Sequence, residues 1–109
     1  WTGCYFLIDG ELIVNQYQGP VACMELKKDV GVCWAAINRK ETVVVEDVHA
    51  FPGHIACDSR SQSEIVVPIK NRKGEIIGVL DIDSKEKASF DQVDKEALEA
   101  IVASVFQDY

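Results

Sequence analysis

Two apolar stretches, Ser63–Lys70 and Glu75–Ser84, flank the turn-forming residues Asn71–Gly74 and commit this part of the chain to an antiparallel strand pair. Alternation puts Glu64, Val66 and Pro68 on one face of the first strand, with Ile65, Val67 and Ile69 on the other. On the second strand Val79, Asp81 and Asp83 share a face opposite Leu80 and Ile82. If Lys70 pairs with Glu75 across the turn, Glu64 lies directly opposite Asp81 and Asp83 is a diagonal neighbour. Three carboxylates on one sheet face repel each other. An isolated Asp-x-Asp reads as a solvated outer face. The cross-strand cluster reads instead as a holder for an ammonium group, or as a carboxyl kept protonated by its neighbours so that it can donate a proton.

The rest of the chain completes an α+β pattern. Trp1–Asp9 and Glu11–Gln18, broken by Gly10 and closed by Gly19-Pro20, read as a hairpin. Val21–Asp29 is ambiguous, with a short strand around Cys23–Leu26. Gly31–Arg39 reads as a short helix, and Thr42–Val45 as a buried β-branched strand. Residues 46–62 carry both histidines, a cysteine and Pro52-Gly53 with no sustained period, and so long a connection points to function. Asp91 is the expected N-cap of a last helix, with Asp94 in its first turn. Ala97, Leu98, Ile101, Val102, Val105 and Phe106 are expected on one face of that helix. Hairpin, short helix, three strands and terminal helix describe a sheet with helices packed on it.

With 109 residues, 48% of them hydrophobic, the chain is sized for one domain with one core. Its net charge of −7 argues against a nucleic-acid groove or an anionic membrane surface. No apolar run reaches the length of a membrane span, and residues 1–109 contain no secretory leader. The first residue is not Met and already reads as strand, so the chain is expected to be an N-terminally truncated domain.

Four cysteines in a chain rich in core-forming Val, Ile and Leu read as working thiols in a cytoplasmic protein rather than as a disulfide framework. Cys4, among apolar neighbours, reads as a small core residue. His54 near Cys57 favours a reactive thiolate. His49, His54 and Cys57 also offer three zinc ligands, but no paired Cys or His spacing supports a closed site, and no metal is expected. Trp1 and Tyr5, four apart on a strand, share a face and serve either as core packing or as cover for a ligand.

Gly31-Val32-Cys33, the stretch from Asp47 through His49 and His54 to Asp58, and Ser63-Glu64-Ile65-Val66-Val67-Pro68 together resemble the free methionine-(R)-sulfoxide reductases, which are GAF-domain enzymes. The resemblance continues through Gly78–Ser84 and Phe90-Asp91 into the last helix, and covers nearly the whole chain. It implies a single GAF-like domain over residues 1–109, an antiparallel sheet flanked by helices, with the family's N-terminal helix preceding Trp1. It implies Cys57 as the catalytic thiol, Cys23 and Cys33 as candidates for resolving it, Trp1 and Tyr5 around the substrate, and Glu64, Asp81 and Asp83 as the carboxylates that hold it. Two positions depart from the family pattern: Cys4 stands where Phe is usual, and Trp34 follows Cys33 where Gly is usual. The second puts the path of the segment around Cys33 in question.

The implied chemistry is reduction of free methionine-(R)-sulfoxide through a cysteine sulfenic acid and an intramolecular disulfide. No cofactor is implied beyond an external dithiol such as thioredoxin, and a homodimer is compatible with the resemblance. The reading from another class is a non-catalytic GAF sensor that binds a small molecule, in which Cys57 is incidental.

Overall fold

The computed structural model describes residues 1–19, 25–26, 28–51 and 61–109; Cys23, His54 and Cys57 lie outside the described residues. The chain runs β1 (Thr2–Ile8), β2 (Glu11–Gln18), β3 (Glu25–Leu26), α1 (Val32–Arg39), β4 (Val43–Val45), a 3₁₀ turn (Val48–Ala50), β5 (Ser63–Lys70), β6 (Ile76–Ser84) and α2 (Gln92–Val105). The strands form one sheet in the order β3-β2-β1-β6-β5-β4, with antiparallel neighbours throughout. Asp9 and Gly10 both have positive φ, which gives the β1–β2 hairpin the tight turn whose twist matches that of its strands.

Alternation along β5 and β6 sorts the core into two layers. Val66 and Val79 pack with Tyr5, Cys33 and Trp34 under α1. Ile65, Val67 and Ile69 pack on the opposite face with Leu80, Ile82 and the α2 residues Leu98, Val102 and Phe106. Helices thus cover both faces of an antiparallel sheet. Cys4 is half-buried on the α2 side rather than fully enclosed.

The expected register needs a correction. Lys70 pairs with Ile76, not Glu75, and the ladder is irregular between Ile69 and Lys70. Asn71 accounts for one residue of the difference, and the irregularity beside Lys70 adds the second. The Asn71 Oδ1 accepts from the backbone N–H of Lys73 (2.9 Å) and of Glu75 (3.0 Å), which draws Glu75 into the turn. Glu64 therefore faces Asp83 directly, and Asp81, opposite Val66, becomes the diagonal neighbour. A displacement by two residues preserves the face, so the three carboxylates stay together.

Helix α2 starts at a capping box: Asp91 accepts from the Asp94 N–H, and the Asp94 carboxylate accepts from the Asp91 N–H. Its apolar face is narrower than expected. Leu98, Val102 and Phe106 meet the sheet, while Ala97, Ile101 and Val105 turn outward, Ile101 being 53% and Val105 62% exposed. A single helix lying on a sheet buries one i, i+4 row, and the adjacent row is left on the flank. Asp91→Ala is expected to lower the midpoint of urea unfolding, through loss of the N-cap.

Candidate active site

The site lies on the α1 face of the sheet. Gly31, with φ of 90°, turns the chain into α1, whose first turn carries Cys33 and Trp34 inward. Trp34 is 4% exposed, and its Nε1 donates to the Leu26 carbonyl at 3.3 Å, fastening α1 to β3. The bulky residue at this position is absorbed by the core, and Cys33 beside it is buried.

Backbone pairing arranges the wall of the site. Gly3 faces Tyr17 on β2 and Asp81 on β6. A Cβ at Gly3 would meet the Trp1 ring and, at 2.8 Å, the Cβ of Tyr17, so the indole lies where a side chain at position 3 would be. The Trp1 ring stacks on Tyr17, with centroids 5.7 Å apart and planes at 17°, and tilts toward buried Tyr5 at the same separation. The Asp83 N–H donates to the Trp1 carbonyl at 2.8 Å, which places Trp1 beside the carboxylates. Trp1 and Tyr5 do share a face as alternation requires. Gly3 and Tyr17, which set the position of the indole, were not singled out from the sequence. The available signal was a glycine midway between two aromatic residues on one strand.

The carboxylates are not a solvated face. Glu64 is 5% and Asp81 6% exposed, with Asp83 half-buried beside them. Burial raises the Glu64 carboxyl from 4.5 to about 7. Hydrogen bonding with Asp81 pulls it down, and the neighbouring Asp83 pushes it up. Asp81 is held well above the usual carboxylate range, first by burial and then by the charge of Glu64 and the hydrogen bond they share. Cys33 belongs to the same group. Burial pushes its thiol well up, and Asp81, Glu64 and Asp83 reinforce the effect. Tyr5 is raised by burial and by Asp81. Glu64, Asp81, Cys33 and Tyr5 are thus each biased toward the protonated form in a poorly solvated place.

Two buried polar atoms, Asp81 Oδ1 and Trp1 Nε1, have no hydrogen-bond partner among the described residues. One accepts and the other donates, as a ligand with both kinds of group requires. One ligating atom each from Cys33, Glu64 and Asp81 falls within 4.8 Å of the other two. The proximity of Cys33 to the carboxylates is a tertiary feature with no counterpart in sequence spacing. His49, by contrast, sits exposed on the 3₁₀ turn, where its N–H donates to Asp47 Oδ1. It joins no group of metal-ligating side chains among the described residues.

Residues 1–105 match the model of the GAF domain family. Free methionine-R-sulfoxide reductase of Saccharomyces cerevisiae is 47% identical over 93% of this chain and 58% of its own length. The reduced form of the fRMsr of Staphylococcus aureus superposes with a TM-score of 0.92, at 51% identity over 97% of this chain and 68% of that one. Free methionine-R-sulfoxide reductase from Neisseria meningitidis, in complex with its substrate, gives 0.91 at 44% identity over 98% of this chain and 64% of that one. The fold and the buried face thus define a GAF domain. The chain belongs to that family, and relatives and solved structures at 44% to 51% identity bear the name free methionine-R-sulfoxide reductase. It spans 58% to 65% of the length of the curated relatives it matches.

The Glu64 shift carries a consequence for stability. Its folded pKa, about 7, lies above the unfolded value, so folding is favoured most below about pH 4.5 and loses that contribution as pH rises through 7. The loss amounts to about 3 kcal/mol, at 1.36 kcal/mol per unit. Glu64→Gln is therefore expected to flatten the stability profile across this window and to exceed the wild type in urea unfolding at pH 8. An unchanged slope between pH 4.5 and 8 would contradict the assignment.

Proposed function

We propose that the protein reduces free methionine-(R)-sulfoxide to methionine with Cys57 as the attacking thiol. The observation that carries this reading is the buried group of Glu64, Asp81, Asp83 and Cys33 beside the Trp1–Tyr5 wall, on a chain whose relatives bear that enzyme name.

Each part of the chemistry has a residue suited to it. The Cys57 thiolate attacks the sulfoxide sulfur while the oxygen takes up protons. Oxygen is transferred overall, leaving methionine and a Cys57 sulfenic acid. Glu64, with a pKa of about 7, is poised to give a proton at neutral pH, where a general acid works best. Asp83, less buried than Glu64, suits the substrate ammonium, which a charge-assisted hydrogen bond would hold. Trp1 and Tyr5 enclose the S-methyl end.

A second thiol then condenses with the sulfenic acid, forming a disulfide and releasing water. Burial keeps Cys33 in its thiol form and makes it a poor nucleophile, which favours Cys23 as the first partner and Cys33 as a relay. An external dithiol such as thioredoxin then reduces the disulfide and returns the enzyme to its starting state. Working thiols suit a reducing compartment such as the cytoplasm. Among the described residues, no helix is long and apolar enough to cross a membrane.

Turnover of free methionine-(R)-sulfoxide with a dithiol reductant tests the reading. Cys57→Ser is expected to abolish it, and Glu64→Gln to lower kcat/KM by roughly 10²- to 10⁴-fold, the range for losing a general acid. Full turnover by Cys57→Ser would overturn the mechanism.

A further inference from the structure

The group formed by Cys33, Glu64 and Asp81 has a property that sulfoxide reduction does not require. It presents one sulfur and two carboxylate oxygens, each within 4.8 Å of the others, from side chains at least nine-tenths buried. Around a tetrahedral zinc ion, with bonds of about 2.0 Å to oxygen and 2.3 Å to sulfur, such atoms stand roughly 3.3 to 3.5 Å apart. Closing around an ion would draw the three atoms inward by at most about 1.5 Å. The three residues come from the first turn of α1 and from two paired strands, so their backbones are held by the helix and the sheet. Asp81 Oδ1, fully buried and without a hydrogen-bond partner among the described residues, supplies an acceptor in need of a cation.

We propose that Cys33, Glu64 and Asp81 form an inhibitory site for a thiophilic divalent cation, with zinc as the physiological representative, and that the ion competes with the substrate. The sulfur ligand selects zinc, cobalt or cadmium over magnesium and calcium, which take oxygen donors. Three protein ligands leave a fourth position for water, the arrangement of an open zinc site. On binding, the Cys33 thiol and the Asp81 and Glu64 carboxyls release to solvent whatever protons they carry and coordinate as thiolate and carboxylates, with no change in oxidation state. The ion engages Glu64, the proton donor of the proposed function, and Asp81 beside it, so the inhibitory part of the inference rests on that reading. It also ties inhibition to redox state. When Cys33 is in a disulfide it has no thiolate to offer.

Co²⁺ and Zn²⁺ are the probes. In a Cys23→Ser/Cys57→Ser chain, which retains Cys33 and Cys4, Co²⁺ is expected to bind one to one with the near-ultraviolet absorption of a cobalt–thiolate bond. Adding Cys33→Ser should remove that absorption, while Cys4→Ser should leave it unchanged. The near-isosteric Asp81→Asn and Glu64→Gln should each weaken binding roughly tenfold or more, with the fold checked by circular dichroism. Absorption that survives Cys33→Ser, or affinity indifferent to Asp81→Asn and Glu64→Gln, would overturn the site. In the wild-type chain, Zn²⁺ should raise the apparent KM for methionine sulfoxide without lowering kcat, and full activity at saturating Zn²⁺ would overturn inhibition. A chain that binds the metal and turns over no sulfoxide would instead count against the proposed function.

Discussion

Burying acidic groups together is the condition on which this structure depends. Glu64 and Asp81 are almost wholly removed from water, with the Cys33 thiol in the same group. Burial above all opposes their ionisation, and the neighbouring charges add to it for Asp81 and Cys33, so the fold biases the group toward its protonated forms. Such an arrangement disfavours folding near neutral pH, and the surrounding packing must offset it. Val66 and Val79 on the same face, together with Trp34 under α1, belong to that packing. A face built only for stability would carry apolar residues in place of Glu64 and Asp81.

Much of this was legible in the sequence because period-two alternation survives local error. Glu64, Asp81 and Asp83 were assigned to one face even though the pairing was taken two residues away from its true register. One residue of the error arose at Asn71, whose side chain captures two backbone N–H groups and moves the first ladder pair from Glu75 to Ile76, and the other at the irregularity between Ile69 and Lys70. Nothing in the composition of the turn fixes that choice. The place of α1 within Gly31–Arg39 and the start of α2 at its N-cap Asp91 were also readable.

What could not be read was whatever depends on how elements meet. Cys33 stands far from Glu64 and Asp81 in the chain, and only the docking of α1 on the sheet brings the three together. Trp34 seemed from the sequence to disturb that region. The carbonyl of Leu26 receives its N–H, which turns the bulky residue into a fastening. The width of the apolar face on α2 was overestimated for a related reason. Periodicity counts apolar side chains around a helix, whereas the neighbouring sheet decides how many of them it can cover.

Gly3 gives the wall of the site an unusual origin. The Trp1 indole lies across the main chain at the point where a side chain would stand, between Tyr17 and Asp81 on the neighbouring strands. The dimensions of the space beside the carboxylates are therefore governed by a missing methyl group as well as by the side chains that surround it. A single carbon added at position 3 would drive the ring off its seat while leaving every acidic group and thiol in the sequence intact. The shape of the site can thus shift through a residue that has no side chain, and an inventory of its acidic groups and thiols would not register the change.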